Sequence, residues 1–460
     1  MNSSLKYNEN NLNFVAILAV SLSTVVAMLD STIANVALPV IAKDFSVSES
    51  ASILIINAYQ FAVIASLLPC AALGRTLGNK RVFIAGVVLF TLSSLGCGLS
   101  ENLNTLTLTR VVQGFGAAAI LSVNASLIKE IYPERLLARG LGINVMIVSV
   151  SAAAGPSIAS TILSLANWNW LFIINVPIAC ASLFLCLCSL KSTKDENHKF
   201  DSGGASLVFL TFVAFSFFTF GLTKMLPVVA VISLFIFLML AMTLYVNQKQ
   251  KMTKAMIPIM LFHNKTFSLS LLMSLLSYST QLLAYVSLPF YFHNVLHRDV
   301  VAIGVLLTAW PLSTMLTSLV AGDLSKRFQP EMVALAGLFM LVVGMLLMTW
   351  LPSEPTNMQI LWRVAVCGLG FGLFQSPNNY LIMTSVSHEQ SSIASGLLGT
   401  SRLVGQIIGS ALVAIMFNIF GESAIRISLM AGAFFSLLSF CVSYLRLKSG
   451  RLTNISNKSV

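Results

Sequence analysis

Of the sixteen Asp and Glu residues in this chain, fifteen fall in loops or near helix ends, and only Asp30 lies well inside an apolar run, Ala27-Met28-Leu29-Asp30-Ser31-Thr32. A carboxylate at membrane depth costs several kcal/mol unless it is paired, hydrated or protonated, so its presence points to proton or cation handling. Its natural partner is Arg110, in Thr107-Leu108-Thr109-Arg110-Val111-Val112-Gln113-Gly114-Phe115-Gly116, where Arg110, Gln113 and Gly114 share one helix face by i, i+3, i+4 spacing. Helix one runs outward and helix four inward. At a rise of 1.5 Å per residue, Asp30 is expected roughly 10–15 Å below the outer surface and Arg110 roughly 10 Å below it. A permanent cation beside a titratable carboxylate pairs with it when it is ionised and replaces the proton's charge when it is neutral.

Other polar residues punctuate the apolar runs. Asn35, Asn57, Tyr59 and Gln60 in helices one and two, and Gln375, Asn378 and Asn379 in helix twelve, are available to a ligand or to neighbouring helices. Arg402, well inside helix thirteen, suits an anionic ligand or a carbonyl-lined packing role, whereas Arg363 near an outer helix end snorkels. Gly155-Pro156 removes a backbone donor in helix five and permits a kink. Gly368, Gly370 and Gly372 follow no strand and no Walker lysine exists, so they read as small-residue helix packing. His198, His263, His293, His297 and His388 lie in or near loops without an acidic or cysteine companion, and Cys70, Cys97, Cys180, Cys186, Cys188, Cys367 and Cys441 read as buried small hydrophobes. No disulfide, metal site, cofactor or catalytic triad is expected, and so no enzyme.

These residues are set in a chain of 460 residues that is 57% hydrophobic and 9% charged, where a soluble protein carries about 25% charge. The composition is that of a membrane protein, which excludes nucleic-acid binders and secreted disulfide scaffolds. The N-terminus lacks the small-residue cleavage site of a removed signal peptide. Apolar runs from Phe14–Val36 to Ala424–Leu445 number fourteen, including helix ten at Val301–Val320. Twenty of the 27 Lys and Arg lie on the side of the termini, among them Arg75, Lys80, Arg81, Lys326, Arg327 and Arg446, so both ends are expected in the cytoplasm. The two longest polar connections, Lys191–Gly204 and Asn247–Lys265, bracket helices seven and eight. The expected plan is all-α: a six-helix bundle at 1–190, two inserted helices with linkers at 191–265, and a second six-helix bundle at 266–460. Two short basic segments at corresponding places support the repeat: one around Gly78 and Arg81 after helix two, the other from Gly322 after helix ten.

The motifs carry a family resemblance over nearly the whole chain. Leu29-Asp30-Ser31-Thr32-Ile33-Ala34-Asn35-Val36-Ala37-Leu38-Pro39, Arg110-Val111-Val112-Gln113-Gly114-Phe115-Gly116, Gly155-Pro156, Trp170-Leu171-Phe172-Ile173-Ile174-Asn175-Val176-Pro177, Trp310-Pro311 and Gly370-Phe371-Gly372-Leu373-Phe374-Gln375-Ser376-Pro377-Asn378-Asn379 resemble segments of the fourteen-helix drug:proton antiporters of the major facilitator superfamily. That family normally has an acid near where this chain has Gly74-Arg75, and paired glycines where it has Ala159-Ser160. The resemblance implies a major facilitator fold and proton-coupled multidrug efflux of lipophilic, cationic toxic compounds across a bacterial inner membrane, by a monomer. It implies proton coupling at Asp30 and Arg110, and substrate contacts from Asp30, Asn35, Tyr59, Gln60, Gln113, Gln375, Asn378, Asn379 and Arg402. It also implies conformational roles for Gly155, Pro156, Gly78, Arg81 and Gly322, with small molecules, protons and the bilayer as the only partners. Export of one endogenous metabolite such as a siderophore, and a non-transporting membrane sensor, are the competing readings.

Overall fold

In hydrocarbon every backbone N–H and C=O must pair within the protein, so an apolar run of about 20 residues has to be helical. The computed structural model describes residues 13–190, 201–251, 259–352, 354–387 and 390–456; His198, His388 and most of Lys191–Gly204 lie outside them. Among the described residues, fourteen helices are long and apolar enough to cross a membrane. They are α1 Phe14–Asp44, α2 Glu49–Leu77, α3 Asn79–Gly98, α4 Leu103–Ile131, α5 Glu134–Leu165, α6 Trp170–Ser189, α7 Ser202–Thr223, α8 Pro227–Lys251, α9 Lys265–Phe290, α10 Val300–Arg327, α11 Pro330–Thr349, α12 Asn357–Thr384, α13 Ser391–Phe420 and α14 Ala424–Ser456.

Several helices outrun their apolar runs, and this corrects two sequence expectations. Between α2 and α3 only Gly78 leaves the helix, at φ 96°, a conformation an L side chain resists. Its counterpart is not a turn at Gly322. Helix α10 continues through Gly322 to Arg327, the space beside that glycine is empty, and the chain reverses at Phe328 and Gln329, with Pro330 opening α11. Arg446, counted from sequence among the loop cations, is inside α14 and only 3% exposed. The cysteines divide: Cys97, Cys186 and Cys367 are buried, but Cys180, Cys188 and Cys441 stand on outer helix flanks.

Packing reveals the repeat directly. In the first half α1 packs on α5 and α6, α2 on α4, and α3 on α4 and α6; in the second α9 packs on α13 and α14, α10 on α12, and α11 on α12 and α14. Adding eight to each number converts one set into the other. Two seams join the six-helix bundles, α5 against α10 and α2 against α13, and α7 lies over the second seam, touching α2 and α13 with α8 packed behind it.

The fully buried core is continuous between the bundles toward one end. Its largest apolar cluster joins Ile33–Ile41, Ile53, Ile55 and Phe172 of the first bundle to Phe290, Phe292, Ile303, Trp310 and Phe417 of the second. These first-bundle residues lie toward the face opposite the start of α1 and the end of α14, here called the far face. Two smaller clusters, Ala16–Leu190 and Leu261–Leu398, each draw their buried residues from one bundle, with partly buried Leu403 of the second bundle packed against the first of them. Hydrogen bonds across the halves lie in the same far half: Asn294 to Glu49, Ser410 Oγ to Asn57 Oδ1 at 2.5 Å, and Ser157 with Thr308 at 2.7 Å.

Candidate functional site

Asp30 sits midway along α1 and is 1% exposed. Its Oδ2 accepts from Arg110 Nη1 at 2.5 Å, and its Oδ1 accepts from Gln113 Nε2 and Asn175 Nδ2, each at 3.0 Å. The carboxylate is therefore held from α4 and α6 together. Arg110, also 1% exposed, donates through Nη1 to Gln113 Oε1 at 2.6 Å and through Nε to the Ile55 carbonyl at 3.4 Å. Its guanidinium carbon lies 4.3 Å from the centre of the Tyr59 ring and 5.5 Å from that of Phe172. Gln113 Nε2 also donates to Ser94 Oγ at 2.8 Å, and that hydroxyl donates on to the Phe90 carbonyl. Both side chains of the Asp30–Arg110 ion pair are 1% exposed.

Glycine explains how α4 brings Arg110 so close to α2. A Cβ on Gly114 would meet the Tyr59 carbonyl at 2.5 Å and the Ala62 methyl at 2.7 Å, so the two backbones touch there, and Arg110, one turn earlier, reaches Ile55 and Tyr59. Thr32 of α1 packs against Gly155 of α5 just beyond Asp30, and α5 stays helical through Pro156.

The second bundle has a different centre. Arg402 Nη2 donates to Asn379 Oδ1 at 2.7 Å, and its guanidinium carbon lies 5.3 Å from the centre of the Tyr278 ring. Gln375 Nε2 donates to the Tyr278 hydroxyl at 2.8 Å. Gln375 and Asn379 stand one helical turn apart on α12. Asn378 faces elsewhere: its amide donates to the Ser270 carbonyl and to Ser274 Oγ, both at 3.0 Å, and its Oδ1 accepts from Arg446 Nη1 at 3.0 Å. Asn378 therefore fastens α9, α12 and α14 around a buried arginine, instead of lining a substrate path. Replacing Asn378 with Ala is expected to cost about 1–3 kcal/mol, because Arg446 then keeps Ser270 Oγ as its one remaining acceptor. Thermal melting in detergent, followed by tryptophan fluorescence, reads this as a lowered midpoint with transport retained.

Of the remaining sequence candidates, Asn35 Oδ1 and Gln60 Oε1 are buried without a partner. Tyr59 is the wall under Arg110, with its hydroxyl 3.4 Å from the Ala27 carbonyl. Arg81 is exposed near the start of α3. Asn175, Ser94 and Tyr278 complete the two centres and were not singled out from sequence. An amide in the apolar run of α6 was the available signal for Asn175.

The profile of the Major Facilitator Superfamily matches residues 20–409 and 267–459. The chain belongs to that superfamily. It is 43% identical over 447 residues to the uncharacterized transporter YebQ of Escherichia coli (strain K12), covering 95% of this chain and 96% of that one. It is 27% identical to the riboflavin transporter RibZ of Clostridioides difficile (strain 630), covering 88% of each chain. To the multidrug resistance protein Stp of Mycobacterium tuberculosis it is 26% identical, over 88% of this chain and 76% of Stp. This major facilitator is a multi-pass membrane transporter, not an enzyme.

Proposed function

We propose that this transporter exports lipophilic small molecules from a bacterial cell in exchange for protons, by alternating access. The observation that carries the reading is the buried Asp30–Arg110 pair, with Gln113 and Asn175 completing the carboxylate's shell. A proton on Asp30 cancels the charge that Arg110 answers, and the guanidinium then rests on the Tyr59 ring, Gln113 Oε1 and the Ile55 carbonyl. The change is felt where it can act. Asp30 directly precedes the Ile33–Ile41 stretch of α1 that closes the far face against the second bundle. Protonation therefore biases the same helix that seals one end, and that is the two-state element coupled transport requires.

The moving parts are the units 1–190 and 266–460, with 191–265 carrying the two helices beside the α2/α13 seam. With the termini in the cytoplasm, the joined far face is the outer one, and the conformation is inward-facing. Relatives named for multidrug resistance and for riboflavin transport support small organic substrates. The expected preference for cations has less support. Asp30 already accepts from three donors, so a cation reaches it only in a state where Arg110 has withdrawn.

The test uses inverted membrane vesicles with an imposed proton gradient. Vesicles bearing the transporter are expected to accumulate a rhodamine or fluorescein dye, and to stop when a protonophore collapses the gradient. Dye movement that ignores the gradient overturns the coupling. Movement of neither dye overturns efflux of lipophilic compounds and leaves export of a single metabolite as the reading to pursue.

A further inference from the structure

The membrane interior of this protein is short of negative charge. Asp30 is neutralised by Arg110, whereas Arg402 and Arg446 have no carboxylate within 4.0 Å among the described residues. Of these two, Arg446 is closed off by Ser270 and Asn378 at 3% exposure, but Arg402 is only partly buried. Arg402 is the twelfth residue of α13, so it stands roughly 17 Å along that helix, near mid-depth. Its neighbour Leu403 packs on the first bundle's core. Two turns further along α13, Ser410 bonds to Asn57 of α2. Arg402 therefore belongs to the helix that forms the seam between the halves, where a transported molecule must pass.

The two helices of this seam carry unanswered polar atoms. Arg402 Nε on α13, and Asn57 Nδ2 and Gln60 Oε1 on α2, are buried without a hydrogen-bond partner. Buried polar groups in native proteins are paired by protein, water or ligand, so the unanswered Nε of a partly buried guanidinium on a helix at the seam is a donor that another molecule can complete. The chemistry of Arg402 says which kind. Its Nη2 is committed to Asn379 and its flank to the Tyr278 ring, which fix the guanidinium in place while Nε remains free to donate. A fixed guanidinium with a free donor suits an oxyanion and repels a cation.

We propose that Arg402, held by Asn379 and Tyr278, binds an anionic group on the exported compound, so that the substrates are amphiphiles with an apolar or aromatic body and a carboxylate or similar oxyanion. The inference rests on the efflux reading and narrows it, placing the anionic group in the second bundle and the proton in the first.

Two xanthene dyes of similar shape and opposite charge test this, fluorescein as the anion and a rhodamine as the cation, in proteoliposomes of the purified full chain under one imposed proton gradient. The parent is expected to move fluorescein at least about tenfold more efficiently than the rhodamine, the size of effect one charge-assisted hydrogen bond gives. Arg402→Gln is expected to raise the KM for fluorescein about tenfold and to abolish the preference for fluorescein over the rhodamine. Arg402→Lys recovers part of the loss, and Arg402→Glu reverses the preference. Size-exclusion profiles of each variant separate misfolding from loss of recognition. A parent that prefers the rhodamine, or a fluorescein KM indifferent to Arg402→Gln, overturns the anion site and leaves proton-coupled efflux standing. If neither dye moves under the gradient, the efflux reading falls and the anion site with it.

Discussion

Asp30→Asn is expected to reduce gradient-driven dye efflux to the level of vesicles without the transporter. The side chain keeps its size and an oxygen that accepts from Arg110 Nη1, so the helix contacts around it persist. What is lost is the titratable carboxylate buried midway along α1 and, on the proposed function, the means of making transport depend on a proton. The variant is therefore expected to exchange labelled for unlabelled dye across vesicles that have no gradient, while failing to concentrate dye when a gradient is applied. That split distinguishes lost coupling from lost binding. A variant that concentrates dye as the parent does would remove Asp30 from the mechanism, and one inert in both assays would make it a structural residue.

The Asp30–Arg110 pair was legible in the sequence because a charge at membrane depth has few structural excuses, and helix rise alone placed both residues at similar depths. The fourteen helices were legible for the same reason, since hydrocarbon admits no unpaired backbone. Helix ends were not, because hydropathy reports the thickness of the hydrocarbon and says nothing of how far a helix continues into water. That is why Gly322 was read as part of a turn and Arg446 as a loop cation, when α10 and α14 simply continue. Asn378 and Asn379 show another limit. Adjacent helical residues point about 100° apart, so one fastens three helices around Arg446 and the other positions Arg402. Asn175 stands in the sequence only as part of the Trp170–Pro177 motif, with no role of its own, because an amide that completes a carboxylate's shell and an amide that glues two helices are the same letter in an apolar run. Only the packing of α6 on α1 tells them apart.

Removing the other partner has a different signature. Arg110→Met leaves the Asp30 carboxylate 1% exposed with two neutral amide donors and no cation, and is expected to cost about 3–5 kcal/mol of stability. The loss appears as poor yield and a lowered melting midpoint in detergent. Arg110→Lys recovers little of it. One guanidinium serves Asp30, Gln113 and the Ile55 carbonyl from two nitrogens and lies against the Tyr59 ring, and a single ammonium on a flexible stem cannot match that geometry. The Asp30→Asn/Arg110→Met double variant is expected to be more stable than Arg110→Met alone, because no buried charge is then left unanswered. Its stability approaches that of Asp30→Asn, and its transport stays as uncoupled. A double variant whose loss equals the sum of the two single losses would mean that the residues contribute independently. Arg110 would then be a packing residue of the α2/α4 contact, and Asp30 would need another counter-charge for its proton cycle.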